Sequence, residues 1–229
     1  MTAIQTNVKS TGSRFLASLV LFAILASSQM IYAHAAAPRF SDVGPNHWAY
    51  AYVEQAAQMG FVSGVTETTF EPDATVTNAQ FLTMVTRAFY AKSTSAAVEF
   101  SDGGEWWLPY AETAYIKGIL RATTVLGPRD SEEAQWDNTI NQGITRYDMA
   151  QIIYNVMILE TTKTPADSEI LDARRHIADW SSVPTNYMQA VSACYAAGCL
   201  SGIDDAGTFG GTSYMTRAQA ATVMCKLMA

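Results

Sequence analysis

The stretch TNAQFLTMVTRAFY at residues 77–90 returns as TRYDMAQIIYNVMI at 145–158 and as TRAQAATVMCKLM at 216–228. Each copy opens on a threonine (Thr77, Thr145, Thr216), followed three positions later by Gln80, Asp148 or Gln219. Thr and Gln at that spacing form a capping box. The hydroxyl accepts from the third helical amide, and the Gln side chain reaches back to the cap amide. Asp148 is a shorter substitute. Apolar residues then recur at helical spacing: Phe81, Leu82, Val85 and Phe89; Met149, Ala150, Ile153 and Met157; Ala220, Ala221, Met224 and Met228. This period predicts three helices and no strands.

Upstream of each lies a second, shorter apolar pattern. Trp48, Ala49, Tyr52, Val53 and Ala56 lead to Gly60; Trp106 or Trp107, Tyr110, Ala111 and Ala114 lead to Gly118; Val191 and Cys194 lead to Gly198. A glycine just past a periodic run marks a helix end, because it tolerates a left-handed backbone. The next residue is apolar each time (Phe61, Ile119, Cys199) and is expected to tuck under the helix. Between the two helices of a copy, Gly64–Pro72 and Gly202–Gly211 carry Thr69-Phe70 and Thr208-Phe209, each Phe seven positions before the capping Thr. The middle copy has a longer polar insertion at 121–138, with Trp136 as its only aromatic. The chain thus reads as three helix-loop-helix repeats, at 40–91, 100–159 and 177–229. Linkers run over 92–99 and 160–176, the second long enough for a short helix around Ile170-Leu171. One repeat of roughly fifty residues barely buries a core alone. Three are expected to pool their apolar faces in one all-α unit.

The first 35 residues read as a secretory signal peptide. Lys9 and Arg14 precede an apolar run of 12 residues, Phe15–Ala26, and the small residues Ala33 and Ala35 follow. That run is short for a membrane span of about 20 residues. The net charge of −7 argues against nucleic acid, which demands a basic face. Removal of Lys9 and Arg14 leaves the remainder more acidic still.

In register, these motifs resemble the S-layer homology domain in its usual triplet. His47-Trp48-Ala49, Gly60 and Gly64, Thr69-Phe70-Glu71-Pro72 and Thr216-Arg217-Ala218-Gln219 are the best matches, and the likeness runs from Phe40 to the C-terminus. It implies a three-pronged, pseudo-threefold helical domain. It further implies non-covalent attachment to a bacterial cell wall, through a secondary polysaccharide bearing pyruvate ketals and held in grooves between repeats. The arginine after the capping threonine is a ligand residue of that family, which carries over to Arg146 and Arg217.

Local chemistry agrees with that role. A ketal carboxylate suits an arginine in the first turn of a helix, where free amides and the dipole add attraction. An aromatic such as Trp48 or Trp106 suits the apolar face of a sugar. Gly64 and Gly202 complete the candidate set. Asn78 stands where arginine is expected, and Asn186 where the other repeats have tryptophan. At most two competent grooves are therefore expected, centred on Arg146 and Arg217.

Plainer readings exist for each residue. The arginines suit surface ion pairs, the tryptophans suit core packing, and Asp42, Asp102 and Asp179 suit caps on the turns that follow them. Cys194 aligns with Ala56 and Ala114, and Cys199 with Phe61 and Ile119, so both fit core positions. Secretion permits a disulfide, for which Cys199–Cys225 is the preferred pair. No nucleophile, phosphate-loop or zinc motif is present, and Asp204-Asp205-Ala206-Gly207 lacks the ligand series of a calcium loop. No catalytic residue, cofactor or metal is expected. The expected partner is a cell-wall polysaccharide at the cell surface. The alternatives are an adaptor or S-layer component that recruits another surface protein, with 121–138 as its docking surface, and last a wall hydrolase.

Overall fold

All three threonines cap helices. The computed structural model describes residues 38–94, 106–125, 139–161 and 164–229. It contains α1 (Tyr50–Gln58), α2 (Asn78–Thr94), α3 (Leu108–Ile116), α4 (Arg146–Glu160), α5 (Asp167–Ala173), α6 (Met188–Ala196) and α7 (Arg217–Met228). Short 3-10 turns occupy Arg174–His176 and Trp180–Ser182. Among the described residues there are isolated β-bridges but no strand, so the fold is all-α. The leader at 1–35, the Phe100-Ser101-Asp102 opening, most of the 92–99 linker and the insertion from 126 to 138 lie outside the described residues.

The capping boxes form as the spacing predicts. Gln80 N–H donates to Thr77 Oγ1 at 3.2 Å, and Thr77 N–H to Gln80 Oε1 at 3.1 Å. Thr216 and Gln219 repeat the exchange at 3.3 and 3.0 Å. Gly60, Gly118 and Gly198 end α1, α3 and α6 at φ of 81°, 77° and 69°. Phe61, Ile119 and Cys199 turn back into the core behind them. The linker helix α5 forms and buries Ile170, while Leu171 faces solvent.

Helices pair across repeats rather than within them. The first helix of each repeat packs on the second helix of the repeat before it: α3 on α2, α6 on α4, and α1 on α7. The prongs meet at a small ring of backbone bonds just before the caps. Val76 N–H donates to the Met215 carbonyl (2.9 Å), Met215 N–H to Ile144 (3.2 Å), and Ile144 N–H to Val76 (3.0 Å). All three side chains are buried, so the ring excludes water and each amide needs its partner. One apolar core runs from Phe40 to Leu227, and residues 38–229 form one compact unit.

Candidate functional site

Arg146 and Arg217 are buried, at 5% and 6% exposure, and among the described residues neither forms a surface ion pair. Each extends from the first turn of its helix into the loop of the next repeat. Arg146 Nε donates to the Phe209 carbonyl at 2.6 Å and Nη2 to the Ser201 carbonyl at 2.6 Å. Arg217 Nε donates to Phe70 at 2.8 Å and Nη2 to Ser63 at 2.9 Å. Each guanidinium also stacks on the phenylalanine whose carbonyl it holds, 4.7 Å from the Phe209 ring and 4.6 Å from the Phe70 ring. Burial lowers both arginine pKa values, opposed by Asp179 and Tyr195 at Arg146 and by Glu71 and Asp42 at Arg217.

The helix-start amides are not free to hold an anion, contrary to the sequence expectation. Arg146 and Tyr147 amides donate to Ser213 and Gly211; Arg217 and Ala218 amides donate to Ala74 and Pro72. The third amide of each helix goes to its capping threonine. The first turns are therefore docking points for the neighbouring loop.

Two pockets nevertheless open beside the two arginines. One, of about 220 Å³, lies between Arg217, the Ser63-Gly64 loop, Thr83 and Arg87 of α2, and Trp106. The other, of about 260 Å³, lies between Arg146, the Ser201-Gly202 loop, Thr222 and Lys226 of α7, and Trp48. Sites expected from sequence are thus brought together: Arg217, Gly64 and Trp106 in one pocket, Arg146, Gly202 and Trp48 in the other. Each tryptophan comes from a third repeat. Trp48 is 58% exposed and Trp106 46%, so neither is a core residue; Trp107 takes the buried position in the second repeat. A Cβ on Gly64 would lie 2.3 Å from the Thr66 carbonyl, and one on Gly202 2.7 Å from Gly207 Cα, so these glycines keep the pocket wall tight.

Sequence reasoning missed Arg87 and Lys226. Both stand ten positions after a capping threonine, and that shared register was the available signal. Among the described residues, no aspartate or glutamate lines either pocket, although the chain carries −7.

The third equivalent position is built differently. Asn78 is too short to act as an arginine. Its Nδ2 donates to the Thr139 carbonyl at 2.8 Å, and its buried Oδ1 has no partner. Asn155, the register equivalent of Arg87 and Lys226, donates from Nδ2 to the Ile119 and Arg121 carbonyls, both at 2.9 Å. Asp148 accepts from the Thr124 amide (2.9 Å), the Thr124 hydroxyl (2.7 Å) and the Tyr187 hydroxyl (2.9 Å), so its carboxylate is engaged within the protein at the same interface.

Asp42 and Asp179 do not cap the turns that follow them. Asp42 accepts from the Phe70 and Glu71 amides, at 2.9 and 2.7 Å, and Asp179 from Phe209 and Gly210, at 2.6 and 3.0 Å. They clamp the loop that the arginine grips from the other side. The three cysteines are buried and no disulfide joins them, so the Cys199–Cys225 pair is not bridged. Burial pushes the Cys225 thiol up to about 11 and raises Cys194 well above its ordinary value.

Residues 39–82 and 176–221 match the family model of the S-layer homology domain. The chain is 30% identical over 208 residues to an endoglucanase of Bacillus sp. (strain KSM-635), covering 91% of this chain and 20% of that protein. It is 28% identical over 138 residues to a cellulosome-anchoring protein of Acetivibrio thermocellus, covering 56% of this chain and 30% of that one. It is 25% identical over 140 residues to a surface-layer 125 kDa protein of Lysinibacillus sphaericus, covering 59% of this chain and 11% of that one. The chain therefore spans a third or less of these relatives' length. Among the described residues no helix is long and apolar enough to cross a membrane.

Proposed function

We propose that residues 40–91, 100–159 and 177–229 are three S-layer homology repeats. Together they anchor the protein non-covalently to a bacterial cell surface, by holding an anionic wall polysaccharide in two grooves between repeats. One observation carries the reading. Two equivalent pockets each combine a buried arginine, a second helical cation and an exposed tryptophan, with no carboxylate among the described lining residues, in an acidic chain. A cation pair in a partly enclosed pocket favours an anionic group far more than exposed charges would. The indole offers a flat apolar face to a sugar ring, and a pyruvate ketal supplies both the carboxylate and the ring.

The relatives support anchoring over chemistry. The shared segment recurs in an endoglucanase, a surface-layer protein and a cellulosome-anchoring protein, and it is a small part of each. What three such different proteins share is better read as attachment than as catalysis. A signal peptide at 1–35 would deliver the repeats to the surface. Another surface protein is a candidate partner, as the name of the anchoring relative suggests.

Co-sedimentation with purified cell-wall sacculi tests this reading. Retention is expected on native sacculi and is expected to be lost once the secondary polymer is chemically removed. Equal retention after removal would refute the proposal. Release of soluble sugars from sacculi would instead revive the hydrolase alternative.

A further inference from the structure

We infer that Arg87 and Lys226, rather than Arg146 and Arg217, make the direct contact with the anionic group, so that one register position decides whether a groove presents a cation to the ligand. This rests on the groove reading above and names the residues that determine recognition there.

The argument starts from donor geometry. A guanidinium has five N–H donors. In Arg146 and Arg217, Nε and Nη2 are held by loop carbonyls at 2.6–2.9 Å, and one face lies on phenylalanine. Releasing them toward a ligand would leave two carbonyls unsatisfied in a nearly water-free wall. They position the loop.

Across each pocket the second cation is differently placed. Arg87 is half-buried on α2, and the Tyr110 hydroxyl accepts from its Nε and Nη2 at 3.4 and 3.2 Å. Its Cζ lies 5.2 Å from the Tyr110 ring centroid. One hydroxyl occupies one edge of the fork and fixes its plane, and donors remain for a planar carboxylate. Lys226 occupies the equivalent position on α7 and is exposed, a mobile point charge at the mouth of its pocket.

The third repeat interface supplies the control within the molecule. There the arginine that should hold the loop carbonyl is replaced by Asn78, which reaches only Thr139. The Arg121 carbonyl, equivalent to those of Ser63 and Ser201, is held instead by Asn155. Asn155 Oδ1 also accepts from Gln151 Nε2 at 2.9 Å, so its whole amide is engaged within the protein. When the wall arginine is lost, the residue at the ligand position moves into the wall, and among the described residues no cation stands at that position to meet a ligand. The two asparagines are thus one coupled change. Arg87 also differs from Lys226 in kind. A held fork selects a planar carboxylate, whereas an ammonium accepts any anion of suitable size.

Calorimetric titration of the full chain with an N-acetylated amino sugar carrying a cyclic pyruvate ketal tests this, with the same sugar lacking the ketal as control. Wild type is expected to bind two ketal sugars and none of the control. Arg87→Gln and Lys226→Gln should each weaken one site by about tenfold or more, and the double variant should weaken both. Arg87→Lys should retain binding at its site but lose preference for the ketal over inorganic phosphate. Circular dichroism should show all four variants folded. Failure of the wild type to prefer the ketal sugar overturns the anionic-polysaccharide reading itself. Wild-type binding with undiminished affinity in the folded double variant overturns only this inference. If Arg87→Gln proves unfolded, Lys226→Gln decides, since Lys226 has an exposed side chain.

Discussion

At the scale of single residues, a ligand residue and a structural residue can be the same type at the same motif position. The sequence placed Arg146 and Arg217 correctly after their capping threonines but not in their environment. Motif spacing states where a side chain starts, and burial depends on a loop 55 to 63 residues away for Arg146 and 147 to 154 residues away for Arg217. Arg146→Ala would leave the Phe209 and Ser201 carbonyls without their donors. It is expected to cost about 3 kcal/mol and lower the midpoint of thermal unfolding by roughly 6–12 °C. A denaturant titration checks this, and a variant as stable as wild type would show that the loop carbonyls find water instead. Asp42 gives a pH signature. Burial pushes its carboxyl up, but the Phe70 and Glu71 amides and Arg217 outweigh that and hold its pKa below the ordinary value. A depressed folded pKa contributes stability that is complete above the unfolded value, near 3.9, and is lost as pH falls through the folded one. Asp42→Asn is therefore expected to be less stable than wild type at pH 6 and to approach it below about pH 4. Parallel stability curves across that range would remove Asp42 from the acid response.

At the scale of elements, the sequence was most readable where chemistry is local. Apolar stripes, terminal glycines and the Thr-Gln capping boxes each depend on a few neighbouring residues and formed as expected, whereas Asp148 turns its carboxylate to Thr124 and Tyr187 instead of the Thr145 amide. The α-helical start of the first pattern was less legible. Trp48 continues the apolar run by spacing, yet α1 begins at Tyr50 and Trp48 turns outward to the Arg146 pocket. Hydrophobicity alone cannot separate a core indole from one reserved for a ligand. Two kinds of glycine in these elements should respond differently to substitution. Gly198 has φ of 69° and open space around a would-be Cβ, so Gly198→Ala meets only backbone strain, about 1 kcal/mol. Gly64 has no such φ, but its Cβ would press on two carbonyls, at 2.3 and 2.6 Å. Gly64→Ala should thus cost more, about 2–3 kcal/mol, and should also distort the pocket by Arg217. Equal midpoint shifts for the two variants in thermal unfolding would contradict this division.

At the scale of the whole molecule, the helices and their loops were legible and the pairing of helices was not. An apolar stripe shows that a helix needs a cover and says nothing about which helix provides it. The structure answers with a cyclic exchange, each repeat covering the one before, and the ring through Val76, Ile144 and Met215 joins the third repeat back to the first. That closure makes the last helix a support for the first. Removing residues 217–229 deletes α7, which covers α1, and with it the Arg217 grip on the Phe70 and Ser63 carbonyls. It also takes away Gln219, the capping partner of Thr216, which directly follows Met215 of the ring. The exposed apolar faces of α1 and the ring would then lose burial worth about 25 cal/mol per Å² while the conformational entropy cost of ordering them remains. A domain of this size has only about 5–15 kcal/mol in hand, too little to absorb such a loss. The truncated chain is expected to lose far more helical signal in far-ultraviolet circular dichroism than the 12 residues of α7 account for, and to unfold without a sharp transition. A loss limited to those 12 residues, with a cooperative transition retained by the remainder, would mean that the repeats fold independently and that the ring is a contact rather than a closure.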